Sequence, residues 1–112
     1  MINGAHVIIY SNNAEADRAF LKNVFKLAHV DVGGSWLIFA LPPSEVAVHP
    51  TTGETFHELY FMCDNINAFI EEMSEQNVQC TPAENQGWGL LTELTLPGGG
   101  KIGVYEPRLE RP

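Results

Sequence analysis

A strand-like run ending in two Asx residues occurs twice, 52 positions apart, and this repeat limits the fold more than any other feature of the chain. The first copy runs from His6 to Asn13 and the second from Glu58 to Asn65, and each leads into a helix-like stretch. A second correspondence follows. Phe39-Ala40-Leu41-Pro42 leads to Val46-Ala47-Val48-His49-Pro50, much as Leu94-Thr95-Leu96-Pro97 leads to Ile102-Gly103-Val104-Tyr105-Glu106-Pro107. In both halves a strand ends at Leu-Pro, a turn follows, and a short strand finishes near a proline. The repeat predicts one domain of two modules, about 1–52 and 53–112, joined by a short linker at residues 49–55.

Local signals fill in each half. The first helix is predicted from Ala14 to about Leu27, capped by Asn12 or Asn13, with Ala16, Phe20, Val24 and Leu27 at helical spacing. Its counterpart is predicted from Asn65 to about Gln76, with Phe69, Ile70 and Met73 on one face and Glu71, Glu72 and Glu75 towards water. Gly33-Gly34 marks a hairpin turn before Trp36 to Phe39, while Pro42-Pro43-Ser44 and Pro97-Gly98-Gly99-Gly100 mark two more. Pro82 limits any strand near Val78 to Glu84 to a short edge piece. The predicted class is therefore α+β: two βαβββ modules forming a curved, half-barrel-like mixed sheet with helices outside.

Side-chain alternation then points to a site. Along the first strand His6, Ile8 and Tyr10 face one way; in its counterpart Glu58, Tyr60 and Met62 do, opposite Leu59, Phe61 and Cys63. The purely apolar set is the natural seat for a helix. The set carrying His6 and Glu58 is left to face the other half, so both residues are expected to aim into one shared hollow.

Composition removes several functions. With 112 residues and 45% apolar content the chain can build a core without staples. Six Lys and Arg against fourteen Asp and Glu give a net charge of -8, a field that repels nucleic acid and anionic membrane surfaces. No apolar run spans a bilayer, and the start Met1 to His6 lacks the basic and apolar regions of a secretory leader, so a soluble, cytoplasmic protein is expected. Cys63 and Cys80 are too few for a disulfide framework and lack zinc-site spacing. Pro97 to Lys101 is no phosphate loop, since it lacks the GxxxxGK[ST] pattern and opens no helix.

The run from His6 to Asn13 with Arg18-Ala19-Phe20-Leu21, the run from Glu58 to Ile66, and Lys101 to Pro107 together resemble the vicinal oxygen chelate superfamily. Glyoxalase I, extradiol dioxygenases and bleomycin-resistance proteins belong to it. In its metal-dependent members one residue on the first and one on the last strand of each module ligate the ion. The matching positions here are His6, Ala47, Glu58 and Gly103, of which two can bind a metal. His57 lies one residue early and should point away. His49, two residues past Ala47 on the same face, offers a third ligand, and His6, His49 and Glu58 would compose a two-histidine, one-carboxylate set.

Two functions are implied by the resemblance. One is a glyoxalase- or dioxygenase-like enzyme, a lyase or dioxygenase acting on a small molecule with vicinal oxygens, in which zinc, nickel, manganese or iron polarises the substrate. Glu58 would move a proton and Tyr105 would hydrogen-bond a substrate oxygen. The other is a metal-free protein of the bleomycin-resistance type that sequesters a small aromatic or cationic ligand, with Tyr10, Tyr60, Trp88 and Tyr105 as walls. A homodimer is expected in either case, with the halves closing on each other or exchanging between chains. A purely structural dimer module is the third reading.

Overall fold

The computed structural model describes residues 5–34 and 36–112; residues 1–4, on which part of the leader reading rests, and residue 35 lie outside the described residues. Two ten-residue helices start at matched places, α1 at Ala14–Asn23 and α2 at Ile66–Glu75, which keeps the 52-residue offset of the sequence repeat. Each start has the same local cause. The Asn13 side chain accepts a hydrogen bond from Ala16 N, and the Asn65 side chain accepts one from Ala68 N, so each asparagine satisfies an otherwise unpaired amide of the first turn.

Helix α1 stops at Asn23 and not near Leu27. Lys26 takes the left-handed region at φ 57°, and the preceding turn widens through Phe25 N to Phe20 O and Leu27 N to Leu21 O. This break delivers Phe25 to an aromatic cluster, with its ring centroid 5.1 Å from those of Phe20 and Phe61 and 6.5 Å from that of Phe69. Helix α2 ends with Asn77 left-handed at φ 59° and Val78 N donating to Met73 O, a closure asparagine tolerates well.

After α1, strands β1 (His29–Asp31) and β2 (Leu37–Phe39) pair antiparallel across the Gly33-Gly34 turn. The later half supplies β3 (Tyr60–Met62), β4 (Glu84–Asn85), β5 (Gly89–Thr95) and β6 (Lys101–Pro107), in the sheet order β3-β6-β5-β4. β6 is central, parallel to β3 and antiparallel to β5. As Pro82 implies, the segment before β4 contributes only a bridge at Cys80 and the two-residue edge strand.

One curved sheet was expected, and the described residues instead form two separate sheets with no closed barrel. The expected strands at residues 6–11 and 46–48 join neither of them. Both segments are exposed for most of their length. Tyr10, Ser11 and Asn12 lie beside the Gly98–Gly100 turn of the second sheet.

The core sits between the four-stranded sheet and the helices. Leu94, Leu96, Ile102 and Val104 are buried with Phe20 of α1 and Met73 of α2, and Leu59, Phe61 and Cys63 pack against them as strand alternation predicts. Phe20 and two further attachments hold the first half to this core. Asp17, itself buried, accepts Gly98 N on Oδ1 at 2.7 Å, and Gly98 has no room for a Cβ, which would press on Ser11 Oγ and Asp17 Oδ2. At the other end Arg111 grips the Glu45 carboxylate through Nε at 2.5 Å and Nη2 at 3.0 Å. The guanidinium holds the Glu45 carboxyl below the ordinary carboxylate range, and the carboxylate in turn raises the Arg111 value.

Candidate ligand-binding site

Register places the site residues. Tyr60 is paired with Gly103 and Met62 with Tyr105 across β3 and β6, while Leu91 is paired with Tyr105 and Glu93 with Gly103 across β6 and β5. All of these share the sheet face opposite the buried Thr92, Leu94, Ile102 and Val104. Trp88 joins them from just before β5. Its neighbour Gly87 adopts φ 84°, and Gly89 is packed so closely that a Cβ would stand 2.7 Å from Glu106 O and 2.9 Å from Tyr105 Cδ2. A side chain at position 89 would therefore collide with the β6 backbone and the Tyr105 ring.

Three rings meet on this open face. The Trp88 and Tyr105 centroids are 5.0 Å apart, Tyr60 and Tyr105 6.0 Å, and Tyr60 and Trp88 6.3 Å, with every pair steeply inclined. Edge-to-face pairs of this kind contribute about 0.5–1.5 kcal/mol each beyond their buried area. Tyr60 nevertheless stays 38% exposed, so the platform keeps an accessible ring.

The Tyr60 ring lies across Gly103: a Cβ at that glycine would stand 2.5 Å from Tyr60 Cε1 and as near to Cδ1. Tyr60 Oη donates to Glu58 Oε2 at 2.6 Å. That hydrogen bond, with burial and the charges of Glu58 and Glu93, pushes the Tyr60 phenol up to about 12. Glu93 also makes a long, exposed ion pair with Lys101 at 3.8 Å.

The structure thus brings Glu58, Tyr60, Trp88 and Tyr105 together. Tyr10 lies apart, 90% exposed, in a shallow hollow of about 470 Å³ that it lines with Ser11, Asn12 and Gly98–Gly100. His6 and His49 are on exposed chain outside any strand, and among the described residues no three His, Cys, Asp or Glu side chains form a group able to hold a metal ion. A ligating carboxylate at position 103 would collide with the Tyr60 ring, and Glu58 already serves the Tyr60 hydroxyl. The described residues of one chain therefore do not compose a metal centre.

Two features escaped the sequence. Glu106 accepts Ile66 N on Oε1 at 3.0 Å and so fastens the start of α2 to β6. With Met62, Cys63, Asp64, Pro107 and Arg111 it borders a second hollow of about 240 Å³. The Cys63 thiol there is pushed up to about 11, mainly by burial and then by the Glu106 charge, which leaves it a poor nucleophile. An acidic residue at a strand end carried no signal for this role.

This sheet-and-helix arrangement is the fold of several solved structures whose sequences differ widely from this one. The chain is similar to TnmS3, an antibiotic binding protein from Streptomyces sp., at 21% identity over 96% of this chain and 99% of that one, with a TM-score of 0.65. It is similar to lactoylglutathione lyase from Agrobacterium tumefaciens at 14% identity, 92% coverage of each chain and a TM-score of 0.63. A third similar structure is the fosfomycin resistance protein FosX from Listeria monocytogenes in complex with Mn(II) and a dihydroxypropylphosphonic acid, at 16% identity, 98% and 94% coverage and a TM-score of 0.61. No protein-family model matches the chain, and no curated protein matches it in sequence. Among the described residues no helix is long and apolar enough to cross a membrane.

Proposed function

We propose that the protein sequesters a small aromatic or cationic molecule on the Tyr60, Trp88 and Tyr105 rings without using a metal ion, as a cytoplasmic homodimer whose chains are single domains of two modules. The observation that carries this reading is the Tyr60 ring seated on Gly103, which puts an aromatic face where a ligating carboxylate would have to stand. A planar ligand gains from stacking on exposed ring surface, and a cation gains further from the ring faces and from the Glu58 and Glu93 carboxylates beside them. The net charge of -8 raises the local concentration of cationic ligands. TnmS3, an antibiotic binding protein, supplies a similar fold in which binding is the described role.

A thermal-shift screen of planar aromatic and organic cationic compounds tests the proposal. Binding detected through Trp88 emission should weaken about tenfold or more in Trp88→Ala and in Gly103→Ala, the latter because its methyl group displaces the Tyr60 ring. The competing reading is a metal-dependent lyase or dioxygenase with His6, His49 and Glu58 as ligands and Glu58 and Tyr105 in catalysis. Stoichiometric zinc, nickel, manganese or iron(II) that stabilises the protein, with no organic compound doing so, would replace the proposal by that reading.

A further inference from the structure

The three rings on the open sheet face are inclined to one another at 72°, 86° and 87°. A flat ligand can therefore lie parallel to only one of them. Rings so inclined, with centroids 5.0, 6.0 and 6.3 Å apart, can form the corner of a box, and a point facing all three would lie roughly 3.5–4.5 Å from each centroid, inside the reach of a cation–π contact. Trp88 and Tyr105 are half-buried and Tyr60 is more exposed, so the corner opens to solvent. Tyr60 is also held in place, against Gly103 on one side and by its hydrogen bond to Glu58 at the tip. A wall already fixed loses little freedom when a ligand arrives.

The charge beside this corner is negative. Glu58 accepts Tyr60 Oη at 2.6 Å, and Glu93 is paired with Gly103, the residue against which the Tyr60 ring rests. Two cations stand nearby and offset little of it. Lys101 is 3.8 Å from Glu93 but 63% exposed, so water screens the pair. Arg111, within electrostatic range of Tyr105, is committed to Glu45. The form of the cation follows from what the corner lacks. A primary ammonium brings three N–H donors, and desolvating them against ring faces leaves them without full partners. Glu58 Oε2 is already taken by the Tyr60 hydroxyl. A fully methylated ammonium has no N–H to satisfy, and it presents its charge on methyl groups that pack against rings as hydrocarbon does.

We propose that the Tyr60, Trp88 and Tyr105 corner recognises a quaternary ammonium group, with Glu58 and Glu93 supplying the counter-charge. This rests on the binding reading above and narrows it from aromatic or cationic molecules to one head group. The compact cation touches three ring faces at once, where a planar ligand would use one.

Choline and 3,3-dimethylbutanol test it, since the two share a shape and differ by a charged nitrogen against a neutral carbon. Trp36→Phe leaves Trp88 as the only tryptophan, and Trp36 itself packs under the Arg18 guanidinium and takes no part in the corner. In that background choline at millimolar concentration should change Trp88 emission and bind about tenfold or more tighter than the neutral compound. Added salt should narrow the gap. By calorimetry, Trp88→Leu should weaken choline binding about tenfold, and Glu58→Gln should cut the preference for the charged compound to about threefold or less while leaving the neutral one unchanged, with circular dichroism confirming the fold of each variant. Equal affinity for the two compounds, or choline binding that survives Trp88→Leu undiminished, overturns the proposal. A planar uncharged compound that binds through Trp88 when choline does not overturns it and leaves the binding reading standing. Failure of every organic compound, charged or neutral, removes both.

Discussion

The two halves carry one repeated pattern and reach different ends. From Tyr60 onward the order is strand, helix and three strands, the sheet is four strands wide, and Leu94, Ile102 and Val104 are almost wholly buried. From Ala14 to Phe39 the same beginning yields a capped helix and a two-stranded hairpin with an exposed apolar face. Capping and alternation are satisfied by neighbours in sequence and appear in both halves. Sheet closure depends on a partner strand and appears in one. Two-stranded hairpins are marginal alone, so the first half depends on what covers it.

The largest expected effect separates the halves by truncation. Leu94→Ala should cost about 2–5 kcal/mol of unfolding free energy at any protein concentration. Val48→Ala, at a side chain that is 93% exposed, should leave the stability unchanged within about 0.5 kcal/mol, as denaturant titrations would reveal. Equal losses at both sites, independent of concentration, would erase the distinction.

A smaller effect should be shared. Asn13→Ala and Asn65→Ala each remove one amide partner at a matched helix start and should each cost about 1 kcal/mol, measured in the same titrations. The smallest effect belongs to the ring platform. The Tyr60 phenol is raised in the folded chain to about 12, so its contribution to stability is complete below the unfolded value near 10 and disappears as pH rises through about 12. Phenolate absorbance should show one of three tyrosines ionising late, and Glu58→Gln should bring it earlier by removing the acceptor charge.

Much of this was legible because its causes are local. Asn13 and Asn65 announce caps by residue type, Gly33-Gly34 announces a hairpin, and alternation puts Tyr60 and Met62 opposite the apolar Leu59, Phe61 and Cys63. The early end of α1 was hidden because Phe25 is drawn from helical register by rings contributed from β3 and α2. The seat of the Tyr60 ring on Gly103 follows from which residues the β3–β6 register sets opposite each other, and no local pattern encodes it. Nor does any pattern reveal that Arg111 reaches Glu45, since both sit in segments without periodicity.

The Asp17 clasp sets an order on synthesis. Its two partners are 81 residues apart, so at translation rates of about 5–20 residues per second the N-terminal helix waits roughly 4–16 seconds on the ribosome before its glycine partner is made. During that interval the buried carboxylate has no backbone amide to receive, and the helix is unanchored at its leading turn.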